Sequence, residues 1–115
     1  MMKLGDVAEK SVPKMTLVSA PQSGGVISTR SFIPHRCHAS IGVFAAISVA
    51  SACVLPEGPA ARLAVIPGGS AFRVEHPSGA AEGVIERDAT GNVTAAGTIR
   101  TARKLFDGHV FPSPR

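Results

Sequence analysis

The segment Ala39–Leu55, ASIGVFAAISVASACVL, contains no charged residue, and Arg30, His35, Arg36 and His38 stand immediately before it in RSFIPHRCHAS. A run of this length without charge must be covered by protein or lipid, and it predicts a helix over about residues 38–55. Pro34 restricts Ile33 to an extended conformation and separates the incoming strand from that helix. Pro56, Gly58 and Pro59 stop it at the other end. A helix that starts here presents unpaired backbone N–H groups and the positive end of its dipole beside two arginines and two histidines. Such a place binds anions. The candidate binding residues are Arg30 and Ser31 on the incoming strand, His35, Cys37 and His38 in the approach, and Ser40 as an N-cap or first-turn hydroxyl.

Ile41, Val43, Phe44, Ile47, Val49, Ala50, Val54 and Leu55 cover most of the circumference of that helix, with small Ser, Gly and Ala residues between them. A helix that is apolar all round is expected to be buried. The alternative is a membrane span, since small residues at regular spacing also suit lipid. The run lies at the short limit of the roughly 17–25 residues that a crossing needs. Turns and strand-like segments flank it on both sides, so the expectation is a core helix and no membrane partner. It does not have the arrangement of a signal peptide.

Around the helix, strands and turns alternate. Lys14–Ala20 and Val26–Ile33 read as strands joined by Pro21-Gln22-Ser23-Gly24-Gly25, whose glycines suit a tight loop. Alternation places Thr29, Ser31 and Ile33 on one face and Ser28, Arg30 and Phe32 on the other. Arg62–Ile66 and Ala71–His76 read as short strands around Pro67-Gly68-Gly69. Gly83–Arg87 and Val93–Arg103 read as a hairpin turning through Thr90-Gly91-Asn92. Arg100, Arg103 and Lys104 would form the last strand's polar face and exit. Glu75-His76, followed by Pro-Ser-Gly, reads as a strand end rather than an acid–base pair.

A chain of 115 residues forms one small domain, here residues 1–115, with a modest core. Its net charge of +4 raises the question of nucleic acid, but the sequence has five Phe, no Trp and no Tyr for stacking on bases. Without a Lys/Arg tract, a small anionic ligand explains the basic cluster better. If Cys37 opens the helix and Cys53 closes it, they lie about 24 Å apart at about 1.5 Å per residue and cannot bridge. Free thiols and the lack of a signal sequence lead to a cytoplasmic expectation, with Cys53 a small core residue. Cys37 at a helix N-terminus beside arginine would have a lowered thiol pKa. His35, Cys37 and His38 have no second ligand pair at a metal-site spacing, so no metal is expected.

The run TRSFIPHRCHASIGVFAAISVASACVLP (Thr29–Pro56), with SVPKMTLVSAP (Ser11–Pro21), VEHPSG (Val74–Gly79) and RTARKLFDGHVFP (Arg100–Pro112), resembles the last half of the PrpF-type isomerases. That family includes 2-methylaconitate isomerases and 4-oxalomesaconate tautomerases, and the segments are most similar to the latter. The resemblance implies an α+β, diaminopimelate epimerase-like lobe: a curved, mainly antiparallel sheet wrapped around one central hydrophobic helix. It implies a cofactor-independent isomerase or tautomerase that moves a proton on an unsaturated di- or tricarboxylate. The active site would lie in a cleft between two lobes, and this chain would supply carboxylate binding. The lysine and the cysteine or serine thought to move the proton belong to the other lobe, so no catalytic residue is expected here. Met1–Gly5 would end an element that crosses from that lobe. The implied partners are a small polycarboxylate and either a separate N-terminal lobe or a second copy. The competing reading is a catalytically silent fragment that serves as a binding or assembly module.

Overall fold

The computed structural model describes Lys3 and residues 5–114. Met1, Met2 and Leu4 fall outside the described residues, and with them most of the expected Met1–Gly5 crossing element. Strands β1 (Met15–Ser19), β2 (Ile27–Ile33) and β3 (Arg36–Cys37) come first, followed by helices α1 (Val43–Cys53) and α2 (Pro59–Leu63). Strands β4 (Ala71–His76), β5 (Gly79–Arg87) and β6 (Val93–Gly97) complete one sheet in the order β1-β2-β4-β5-β6, with β3 paired to β2. Every pairing is antiparallel except β2 with β4, where Ile27 aligns with Val74 and Ser28 with Glu75. The architecture is therefore α+β with a mainly antiparallel sheet, as expected.

Alternation along the strands decides what the sheet buries. Ile27, Thr29 and Ser31 on β2 and Phe72 and Val74 on β4 point into the core, while Arg30 and Arg73 are exposed on the other side. The predicted faces of β2 are the observed ones. Helix α1 lays Ala46, Ala50 and Cys53 into the same core as Phe72, Val74 and Ile85. Small residues at this i, i+4, i+7 spacing let the helix backbone approach the sheet closely. Burial pushes the Cys53 thiol up to about 11, so it behaves as a small apolar group.

Four expectations need correction. The helix starts at Val43 rather than near residue 38, because Pro34 and His35 turn the chain back and Arg36–Cys37 join the sheet as β3, pairing with Ile33 and Phe32. Cys37 is thus an exposed strand residue and not the opening of a helix. The helix is buried on one side only: Ala50 is 1% exposed whereas Phe44 is 86% exposed. Arg62–Ile66 is not a strand, since the chain turns helical at Pro59–Leu63 with Pro at the first helical position and Ala60 buried. A proline at N1 has its fixed φ already suited to the helix and no N–H to leave unpaired, a start signal present in the sequence. Finally β6 ends at Gly97, where its pairing with Val84 is the last, so Thr98–Arg103 pairs with no strand among the described residues. Arg100, Arg103 and Lys104 are exposed in an irregular segment.

That segment carries Ile99, Leu105, Phe106, Val110 and Phe111 into solvent. The radius of gyration is 18.0 Å, against roughly 13 Å for a compact chain of about 100 residues. Among the described residues no helix is long and apolar enough to cross a membrane.

Candidate functional site

The segment leading into α1 is fastened to the turn between β4 and β5. Ser78 donates both its main-chain N–H, at 3.1 Å, and its hydroxyl, at 2.6 Å, to the Ala39 carbonyl. On the other side the His38 N–H donates to the Ser31 carbonyl at 2.8 Å, which continues the β2–β3 ladder. The Ser40 N–H donates to His38 Nδ1 at 3.0 Å. Neutral His38 must therefore carry its proton on Nε2. His76, the last residue of β4, places Nδ1 3.2 Å from Ser78 Oγ and Nε2 3.5 Å from Ser40 Oγ. His38, Ser40, His76 and Ser78 thus form one cluster built from two chain segments.

This cluster stands just ahead of α1. Gly42 is the N-cap, no side chain caps the helix, and the first helical bond runs from the Ala46 N–H to the Gly42 carbonyl at 2.8 Å. The first-turn N–H groups of Val43 to Ala45 therefore have no intrahelical acceptor, and the positive end of the helix dipole lies beside two histidines. The arrangement can hold a carboxylate and can donate or accept a proton next to it.

The six sequence candidates divide by position. His38 and Ser40 lie in the cluster. His35 is in the β2–β3 turn with Nε2 2.8 Å from the Ala8 carbonyl, and Cys37 is exposed on β3 with Sγ 3.7 Å from the His38 carbonyl. Ser31 faces the core and shares a hydrogen bond of 2.9 Å with the Thr16 hydroxyl. Arg30, one residue earlier, is on the opposite face of the sheet. There it borders a cavity of about 800 Å³ together with Ser28, Gln22, Arg73, Glu75 and His76.

The sequence reading set His76 aside as a strand end and did not single out Ser78. His76 does end a strand, but it also touches Ser40. The available signal was His-Pro-Ser-Gly at a strand end: Pro-Ser-Gly makes the turn that folds Ser78 back under the imidazole. Glu75, by contrast, is structural. Its carboxylate accepts the main-chain N–H groups of Gln22 at 2.8 Å, Ser23 at 2.7 Å and Gly25 at 2.8 Å. The Gln22 hydrogen bond is the main reason its carboxyl lies below the usual range, with Gly25, Ser23 and the Arg73 charge adding to it against the opposing effect of burial. Among the described residues no group of His, Cys, Asp and Glu side chains is placed to hold a metal ion.

A mainly antiparallel sheet packed on one apolar helix gives the chain the fold class of diaminopimelate epimerase-like lobes. The crystal structure of a methylitaconate-delta-isomerase matches 90% of this chain and 31% of its own, with a TM-score of 0.76 at 24% identity. The chain belongs to the PrpF protein family, whose model matches residues 2–113. Its relatives there include a (4E)-oxalomesaconate Delta-isomerase of Novosphingobium sp. strain KA1, 57% identical over 113 residues. A 4-oxalomesaconate tautomerase of Pseudomonas putida strain KT2440 is 55% identical over 112 residues. These alignments take in 96% and 95% of this chain but 32% and 30% of the relatives. The chain therefore spans about a third of their length, less than the half that the resemblance suggested.

Proposed function

We propose that this chain is the carboxylate-holding part of a cofactor-independent isomerase or tautomerase, acting on an unsaturated di- or tricarboxylate of the 4-oxalomesaconate type. The observation that carries the reading is the uncapped start of α1 beside His38, Ser40 and His76. A carboxylate placed there accepts first-turn N–H groups and hydroxyl or imidazole donors, and the same groups stabilise negative charge that develops when a proton leaves the adjacent carbon. The similarity to oxalomesaconate isomerases supports the substrate class. Of the other candidates, Cys37 precedes His38 on β3, His35 bonds the Ala8 carbonyl, Arg30 lies on the opposite face of the sheet, and Ser31 contributes by holding β1 and β2 together.

Titration with tricarballylate, a saturated tricarboxylate that cannot isomerise, tests the reading. The amide signals of Ser40 to Ala45 should move most, with a millimolar Kd because one wall of a cleft repays little of the cost of ordering a ligand. Shifts confined to residues 100–104 would overturn it.

A further inference from the structure

The segment Ala39–Leu55 has no charged residue, yet the structure covers α1 on one side only. Ala46, Ala50 and Cys53 face the core, while Phe44 and Ser48, one turn apart, are exposed, and Leu55 is exposed just past the C-cap Val54. A helix side that water solvates carries charged or strongly polar groups, and this one has no charge at all. The Ser48 hydroxyl donates to the Phe44 carbonyl at 2.8 Å, so it can be covered without losing a hydrogen bond. The sheet leaves this side bare and has both edges open: among the described residues β1 pairs only with β2, and β6 only with β5. Open edges accept further strands.

The lengths of the relatives fit this bare side. Two lobes of similar size would each take half of a relative, whereas this chain matches 32% of the Novosphingobium isomerase over 113 residues. Half of that relative therefore exceeds the matched stretch by about 60 residues, room for several strands of about five or six residues with their turns. We propose that the open side of α1 is the docking surface for a strand-rich polypeptide of about 60 residues that belongs to this same lobe, continues the sheet from an open edge and lays an apolar face over Phe44 and Ser48. A second copy of this chain is a poorer occupant. Its most exposed apolar residues, Leu105, Phe106, Val110 and Phe111, share their segment with Arg100, Arg103 and Lys104, for which α1 has no acidic partner. The inference rests on the two-lobed family fold and not on carboxylate binding at the start of α1.

The test uses the 115-residue chain and a separately expressed polypeptide made of the roughly 60 residues that precede the matched stretch in the Novosphingobium isomerase. The two should sediment as a 1:1 complex. Phe44→Asp, once circular dichroism shows it folded, should weaken that complex about tenfold or more, because an interface does not accept an unpaired carboxylate. Phe106→Asp should leave it unchanged. A fusion of the polypeptide to the start of the chain covers the case in which the polypeptide does not fold alone. In a Phe44→Cys, Cys37→Ser background, the thiol at position 44 should react about tenfold more slowly in the fusion than in the chain by itself. Equal thiol reactivity in the two, a complex that Phe44→Asp leaves intact, a complex that depends on Phe106 instead, or a dimer of the chain that the polypeptide does not displace would each overturn the proposal. Tricarballylate shifts at Ser40–Ala45 are read separately: without them docking still stands, and without docking they still stand.

Discussion

Gly25 donates its main-chain N–H to the Glu75 carboxylate at 2.8 Å, and a Cβ added to Gly25 would lie 2.6 Å from Glu75 Cγ and 2.7 Å from the Arg73 carbonyl oxygen. The loop Gln22–Gly25 and strand β4 are therefore in contact with no room for a side chain between them. Because β4 ends in His76, this contact fixes the strand that delivers the imidazole to Ser40. Gly25→Ala should destabilise the fold by about 1–3 kcal/mol, the usual cost of forcing extra volume into a packed site. A thermal midpoint equal to that of the native chain would show that the loop yields freely.

Glu75 makes stability depend on acid. Its folded-state pKa is depressed, first by the Gln22 hydrogen bond. The stabilisation is thus fully present above the unfolded-state value of about 4.3 and is lost as pH falls through the lower folded-state value. Glu75→Gln cannot supply the same acceptor to three N–H groups and should cost about 1–3 kcal/mol near neutral pH. It should also flatten the acid limb of the stability curve. Denaturant midpoints of both proteins across the acid range check this: parallel curves would mean that Glu75 does not titrate with folding.

The two faces of α1 should respond oppositely to charge. Ala50 is 1% exposed and packs in the core, so Ala50→Asp buries an unpaired carboxylate at a cost of several kcal/mol, comparable with the roughly 5–15 kcal/mol of a whole domain. Phe44→Asp, on the open side, should leave the circular dichroism spectrum unchanged and reduce self-association through the apolar surface. Unfolding by both substitutions would mean that the open side is covered in solution.

The thiols offer an independent check on the start of the helix. Cys37 is exposed on β3, whereas Cys53 is buried with its pKa pushed up to about 11. One thiol per chain should react quickly with a disulfide reagent under native conditions and the second only in denaturant. The fast phase should vanish in Cys37→Ser. Its survival there would place Cys53 at the surface and the core packing of α1 in error.

The faces of β2 were legible because alternation is a local property: Ile27, Thr29 and Ser31 inward and Arg30 outward follow from the period of two. The helix end near Cys53 was legible for the same reason, through Pro56 and Gly58. Its start was not, because absence of charge does not distinguish helix from a short strand. What turns Arg36–Cys37 into β3 is a non-local pairing with Phe32 and Ile33. The site was half legible. His38 and Ser40 are close in sequence to the helix, but His76 and Ser78 reach it through the fold, where Ser78 bonds the Ala39 carbonyl and His76 faces the Ser40 hydroxyl.

Net isomerisation requires a proton to leave one carbon and another to arrive at a different one, and the resemblance assigns the groups that carry these protons to the other lobe. The relatives that isomerise oxalomesaconate are about three times as long as the part that this chain matches. The 115-residue chain alone should therefore show no net conversion of 4-oxalomesaconate, even where it binds carboxylates. Mixing it with a separately expressed polypeptide corresponding to the remaining two thirds of such a relative should restore conversion, since the apolar side of α1 at Phe44 and the exposed Leu105, Phe106 and Phe111 offer surface for association. Conversion followed by the absorbance of the conjugated product, with and without the second polypeptide, decides between these outcomes. Turnover by the chain alone would mean that the proton carriers lie in this chain, and His35, Cys37, His38 and His76 would be the residues to replace next.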